Sequence, residues 1–255
     1  MKVVILAGGR PSTISDENEG IPKPMVEVGG KPLIWHIMKS FSDYGFNEFI
    51  VCGGYKAHKI KKYFMNYQYY ESDITVDLGS NELTIHNRPT EQWKVTVADT
   101  GIDALTGERV AAIAKYITED DFIVTYGDCL SDVNIQELVR YHAENGKKAT
   151  LVVAGTTGRN EALRIGDDGK LLGKAVDVDG AWTNACLYVL KKDVCDLLGK
   201  SSQLETALMQ NLVSEGEMVT FKHHGFWMPV ETYRDRTVLE DMLRKGCTPW
   251  MGRKE

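Results

Sequence analysis

Val3-Val4-Ile5-Leu6-Ala7-Gly8-Gly9, followed after a polar interval by Pro22-Lys23-Pro24-Met25, decides how the 255-residue chain is read. The first run is apolar, rich in β-branched residues and stopped by two glycines, which predicts a buried parallel strand ending in a loop. Ligands of open α/β sheets bind at such strand ends, where glycine lets the backbone approach a flat base or a phosphate with amides free to donate. A plain turn would also end a strand on Gly-Gly. The prolines flanking Lys23 fix φ and remove backbone donors, so a single ammonium is presented from a stiffened loop. A rigid cation beside a glycine loop suits phosphate.

Outward from this opening, the interval from residue 10 to 22 is polar and punctuated by Pro11, Asn18 and Gly20, as expected of a mobile cover over a ligand site. Ile34, Ile37, Met38 and Phe41 recur at helical spacing and stop at Gly45, Phe49-Ile50-Val51-Cys52 is strand-like, and 56–66 is again helical. This alternation predicts an α/β fold with a doubly wound, mostly parallel, Rossmann-like sheet. Residues 67–100 break the pattern: 75–78 and 83–86 around Gly79-Ser80-Asn81-Glu82 predict a small antiparallel hairpin inserted into a single domain spanning 1–255. Tyr67, Tyr69, Tyr70 and Trp93 suit either a core or a subunit contact. Phe122-Ile123-Val124-Thr125-Tyr126 reads as the central strand, delivering Gly127-Asp128 at its tip, where a carboxylate can hold Mg²⁺ against phosphate or merely form a turn. Further on come a helix over 134–145 ending at Gly146, a strand over 149–154, a turn at 167–170, a strand beginning near Trp182, a helical pattern over 193–215 and a closing helix over 233–244.

Composition narrows the function classes. A net charge of −6 with dispersed signs offers no basic patch, which argues against nucleic acid and anionic membrane as partners. Apolar runs are strand-sized, short of the ~20 residues of a membrane span, and a strand starting at residue 3 leaves no place for a signal peptide. The five cysteines are scattered without metal-ligand spacing, as expected of reduced thiols in a cytoplasmic protein.

Leu6-Ala7-Gly8-Gly9, Pro22-Lys23-Pro24-Met25 and Gly30-Lys31-Pro32-Leu33-Ile34-Trp35-His36 together resemble the opening of the sugar-1-phosphate nucleotidyltransferases, most closely their glucose-1-phosphate cytidylyltransferase branch. The resemblance continues at Gly54-Tyr55-Lys56, Val95-Thr96-Val97-Ala98-Asp99-Thr100-Gly101, Thr106-Gly107-Glu108-Arg109, Tyr126-Gly127-Asp128, Gly146-Lys147-Lys148-Ala149-Thr150 and Gly225-Phe226-Trp227-Met228-Pro229. It implies transfer of CMP from CTP to a phosphorylated small molecule, with pyrophosphate as leaving group. It also implies Lys23 on the phosphates, Asp128 and Glu231 as ligands of Mg²⁺ (or Mn²⁺), and Leu6, Ala7, Gly8, Gly9 and Gly127 against the nucleotide. Arg109 falls where the cytidylyltransferases place an arginine on the pyrimidine edge, and a guanidinium can meet cytosine O2 and N3 with two donors. A solvated surface arginine is the other reading of the same residue. The resemblance further implies a homo-oligomer assembled with help from the 67–100 insertion.

Four positions depart from the family pattern. Glu231 stands where relatives carry aspartate. The arginine that grips the β and γ phosphates is replaced by Thr13, with Arg10 near the start of the same loop. The acceptor-side lysine of a Glu-Lys-Pro motif is displaced one position early, to Lys174, and an Asn-Gly-Gly bordering the sugar has become Asn184-Ala185-Cys186. With Arg159, Lys174 and Asn184 form the expected acceptor pocket. Because the last three of these changes fall on the triphosphate tail and acceptor half, while the parts for cytosine and metal look whole, the sequence leads to a cytidylyltransferase whose acceptor differs from glucose 1-phosphate: another sugar phosphate or a phosphorylated amino acid. An ordinary CDP-glucose-forming enzyme and a catalytically silent CTP-binding regulator are the alternatives.

Overall fold

The computed structural model describes residues 1–10, 20–155, 163–174 and 182–252, without the side chains of Arg164 and Lys174. The opening strand Val3–Ala7 lies inside the sheet, paired in parallel with Glu48–Gly53 on one side and Asp121–Tyr126 on the other. All five residues of Val3–Ala7 are buried because both faces of the sheet are covered. Val3, Ile5 and Ala7 point into one apolar layer with Ile34, Ile37 and Phe41, whereas Val4 and Leu6 point into the other with Val110, Ile113 and Leu204. Helices Leu33–Ser42 and Ile135–Asn145 supply the first layer, and Thr106–Ile113 supplies part of the second.

Among the described residues the sheet has nine strands. From one edge it runs Leu171–Lys174, Leu163–Ile165, Trp182–Lys191, Asp121–Tyr126, Val3–Ala7, Glu48–Gly53 and Lys94–Asp99, with Ala149–Gly155 and Met218–His223 branching from Trp182–Lys191. Trp182–Lys191 is antiparallel to both Asp121–Tyr126 and Ala149–Gly155, so the sheet is parallel through its centre and mixed on this flank. The alternation in the sequence predicts the parallel centre of the sheet, and the order of its strands comes from the structure. The strands Lys94–Asp99 and Met218–His223, with the two-stranded ladder Trp227–Pro229 on Cys129–Ser131, lack a clean period and emerge only from the structure.

Local signals set several ends. Asn134 caps its helix by accepting from the Glu137 amide at 3.1 Å, and Gly146 closes it at φ 63°. The closing helix Tyr233–Arg244 begins with a capping box in which Thr232 and Asp235 satisfy each other's backbone amides. The helical pattern over 193–215 resolves instead into a 3-10 segment Lys192–Leu197, a short helix Leu204–Leu208 and a π turn Met209–Val213. Gly199 and the left-handed Ser201, at φ 62°, interrupt it where the apolar spacing alone carries no break.

The hairpin Ile74–Asp77 with Glu82–Ile85 forms as the sequence predicts, its turn tied by Gly79 and Ser80 amides donating to Asp77 Oδ1. Tyr67 and Trp93 turn inward, Tyr67 accepting from Trp35 Nε1 at 2.9 Å and lying tilted against Trp93 with ring centroids 5.7 Å apart, whereas Tyr69 and Tyr70 are exposed. All five cysteines are free thiols. Among the described residues no helix is long and apolar enough to cross a membrane.

Candidate active site

A cleft of about 440 Å³ opens at the carboxyl ends of the central strands, within the ~300–1,000 Å³ usual for a small-molecule site. One wall is the backbone of Leu6–Gly9, the second is Lys23 and Pro24 with Tyr126–Asp128, and the third is Ala104–Thr106 with Gln203 and Glu205.

Lys23 lies on a 3-10 turn, Lys23–Met25, and Gly127 brings that turn onto the strand end. A Cβ on Gly127 would sit 2.7 Å from Pro24 Cγ and 3.1 Å from the Leu6 carbonyl, so any larger residue would push the lysine loop away. The close approach leaves Lys23 Nζ 2.7 Å from Asp128 Oδ2, both side chains about one-fifth exposed. Burial would lower the Lys23 pKa, but Asp128, its hydrogen bond and the Glu231 carboxylate together hold it above the usual lysine value. The ammonium is therefore charged throughout the neutral range, and the part of the stability that comes from the raised pKa is lost only as pH climbs through that elevated value.

Glu231 is carried to the same corner by backbone hydrogen bonds and by the buried Val230 beside it. Trp227–Pro229 pairs with Cys129–Ser131, the Val230 amide donates to the Asp128 carbonyl at 2.8 Å, and Asp235 of the capping box accepts from the Glu231 amide at 3.1 Å. Lys23, Asp128 and Glu231 are thus brought together. Among the described residues no cluster of three or more His, Cys, Asp or Glu is arranged to hold a metal alone. Two carboxylates beside a phosphate-sized opening nevertheless fit Mg²⁺, which keeps several waters and completes its octahedron with substrate oxygens.

Arg109 lines the same cleft, with its guanidinium hydrogen-bonded to the protein. Its side chain is buried, and Nη1 donates to Thr100 Oγ1 at 2.8 Å and to the Gly101 carbonyl at 2.7 Å, while Nη2 donates to the Gly8 carbonyl at 2.9 Å. These donors satisfy the Gly101 carbonyl and the Thr100 hydroxyl and add to the Tyr55 amide that reaches the Gly8 carbonyl at 3.3 Å. Gly8 has its own reason here: a Cβ would fall 2.1 Å from Arg109 Nη1, so this glycine makes room for the guanidinium, whereas Gly9 faces open space.

Arg10 pairs with Asp103 on the rim at 2.5 Å, with both side chains largely exposed. Thr13 and Arg159 lie outside the described residues, as does the 10–22 cover beyond Arg10 apart from 20–22. Lys174 ends its strand opposite Leu163. Asn184 sits at a bulge in Trp182–Lys191, its amide donating to Tyr188 Oη while its carbonyl accepts from the Cys186 amide at 2.7 Å. Cys186 holds φ 59°, a left-handed backbone that suits the glycine of the family pattern, and Trp227 Nε1 braces the bulge by donating to the Ala185 carbonyl at 3.0 Å. Gln203 and Glu205, both on the cleft wall, were not marked by any motif; the Leu204-Glu205-Thr206 stretch looks like ordinary amphipathic helix.

Residues 2–166 match the Nucleotidyl transferase family, and the chain belongs to it. It is a nucleotidyltransferase of the sugar-1-phosphate kind, built on the mostly parallel sheet described above. Over 253 residues it is 41% identical to the glucose-1-phosphate cytidylyltransferase of Salmonella typhimurium, covering 98% of each chain. It is 36% identical to the "Probable glucose-1-phosphate cytidylyltransferase" of Bacillus subtilis, covering 98% of this chain and 99% of that one. The crystal structure of HddC from Yersinia pseudotuberculosis complexed with GMP-PN shares the fold, with a TM-score of 0.76 at 20% identity over 95% of this chain and 99% of that one.

Proposed function

We propose that the chain is a CTP-dependent cytidylyltransferase that joins CMP to a phosphorylated small molecule and releases pyrophosphate. The observation that carries this reading is the Lys23 ammonium 2.7 Å from Asp128 with Glu231 in the same corner, facing a wall of bare backbone. In the reaction an acceptor phosphate oxygen bonds to the α-phosphorus, the α–β bridging bond breaks, and pyrophosphate leaves in line. Such a step needs positioning and charge neutralisation more than covalent help. Lys23 releases Asp128 and meets the phosphates; Asp128 and Glu231 would hold the divalent ion, which neutralises charge on the two polyanions when bound. The backbone of Leu6–Gly9 forms the flat support for the base.

The acceptor reading follows from the bulge at 184–186. Asn184 spends its amide inside the bulge, and Ala185 and Cys186 add side chains where the family pattern has none. A phosphorylated compound other than glucose 1-phosphate, such as another sugar phosphate or a phosphorylated amino acid, fits that change. Identity of 41% over nearly the full length favours glucose 1-phosphate itself as the second reading. Pyrophosphate release with CTP, Mg²⁺ or Mn²⁺ and a panel of acceptors decides. Turnover with glucose 1-phosphate at least as fast as with any other acceptor supports the second reading, and none with any acceptor supports a silent regulator.

The same proposal includes a homo-oligomer. In the hairpin, Ile74 faces Ile85 and Val76 faces Leu83 across the strands, which puts four apolar side chains on one face, and Ile74, Val76 and Leu83 are 43–50% exposed. An isolated two-stranded ribbon is marginal in water, and a second copy of this chain is the partner that covers this face. Light scattering is expected to show an assembly for the wild type and a smaller species for Val76→Glu combined with Leu83→Glu. An unchanged mass would remove the hairpin from the interface.

A further inference from the structure

With Arg109 committed to backbone carbonyls, the base needs another polar group in the cleft. Glu205 stands on the wall formed by Ala104, Leu105 and Thr106. The segment that carries it is fixed onto the Thr106–Ile113 helix: the Gly107 amide donates to the Ser202 carbonyl at 3.0 Å, the Ser201 amide to Glu108 Oε1 at 2.8 Å, and the Leu204 amide to Thr106 Oγ1 at 2.8 Å. Because Thr106 Oγ1 accepts from Leu204, its own proton is directed to Glu205 Oε2, 3.3 Å away. Its own backbone amide is the other donor to the carboxylate, and among the described residues no lysine or arginine pairs with the group. Burial accordingly raises the Glu205 pKa.

A half-buried carboxylate with one hydroxyl and its own amide as donors and no cation keeps lone pairs for a ligand, and it lines the cavity. We propose that Glu205 accepts a hydrogen bond from the exocyclic amino group of the nucleotide base and thereby selects cytosine over uracil. Cytosine presents an amino donor at C4; uracil presents a carbonyl oxygen there, which would meet the carboxylate lone pair to lone pair. The inference rests on the CTP reading above and deepens it. Gln203, exposed at the mouth, and Leu105 supply amide and apolar surface but no fixed acceptor. Glu205 is thus a specificity residue, remote from the reacting phosphorus and separate from the Lys23–Asp128 corner.

The test compares kcat/KM for CTP and UTP in the wild type, Glu205→Gln and Glu205→Asp, with melting curves showing that each variant is folded. A site built around one polar contact rejects an analogue that leaves it unpaired by large factors, so the wild type is expected to prefer CTP by about 10³-fold or more. An amide can turn either its oxygen to an amino group or its own amino group to a carbonyl. Glu205→Gln is therefore expected to reduce the preference by at least about 30-fold, mostly through a gain with UTP, while Glu205→Asp keeps the preference and raises KM for CTP. A Glu205→Gln variant as selective as the wild type overturns this inference and leaves the CTP reading intact. A wild type that uses UTP as readily as CTP overturns both.

Discussion

Asp128→Asn is expected to lower kcat/KM for pyrophosphate release by about 10³-fold while leaving the melting temperature within a few degrees. Asparagine keeps the shape and still accepts from Lys23 Nζ, now 2.7 Å from Asp128 Oδ2, so the lysine loop stays in place. What disappears is the negative charge that would bind the divalent ion between strand tip and phosphate. Lys23→Ala should fall by a similar factor for a different reason, the loss of the cation that offsets two polyanions. The two variants separate under metal titration. Excess Mg²⁺ partly restores Asp128→Asn, whose defect is metal affinity, and does nothing for Lys23→Ala. The double variant is expected to be little worse than either single one, since residues that act as a unit are far from additive. Full activity in Asp128→Asn would remove this carboxylate from the chemistry.

Arg109→Leu is expected to cost about 2–4 kcal/mol of stability, because the Gly101 carbonyl and the Thr100 hydroxyl lose this donor, the Gly8 carbonyl keeps only the Tyr55 amide, and a lost hydrogen-bond partner costs roughly 1–3 kcal/mol. Part of that loss is offset by water entering from the cleft. At this chain length the melting temperature should drop by about 5–15 °C. The Gly8 loop loosens with it, so KM for CTP rises more than kcat falls. An arginine that read the base edge instead would behave in the opposite way: near-normal stability with a reduced preference for CTP over UTP. Calorimetry and nucleotide competition on the same variant separate the two.

These expectations divide along the line between what the residues declare and what the backbone decides. Periodicity carries the central strands, since Val3–Ala7 has both faces buried and shows it as an unbroken apolar run. Pro22-Lys23-Pro24 and Gly127-Asp128 declare themselves as a stiff cation and a strand-tip carboxylate, and packing of Pro24 on Gly127 brings them into contact. Arg109 shows the limit. A motif match fixes its place along the chain, but the orientation of a guanidinium depends on which carbonyls need donors, and those of residues 8 and 101 lie far from it in sequence or in a turn. Glu205 is invisible for a related reason: its neighbours Thr106 and Leu105 are about a hundred positions away, and its helix is too short to show a period.

Lys23 and Asp128 face the backbone of Leu6–Gly9, with Glu231 close beside the lysine. A crystal of the chain grown with a non-hydrolysable CTP analogue and Mn²⁺, with the metal located by its anomalous scattering, measures that corner directly. The account predicts a manganese peak within bonding distance of carboxylate oxygens from both Asp128 and Glu231 and of a phosphate oxygen, with the base against Gly8–Gly9. Manganese bound away from both carboxylates, or a triphosphate lying outside the cleft, would contradict it.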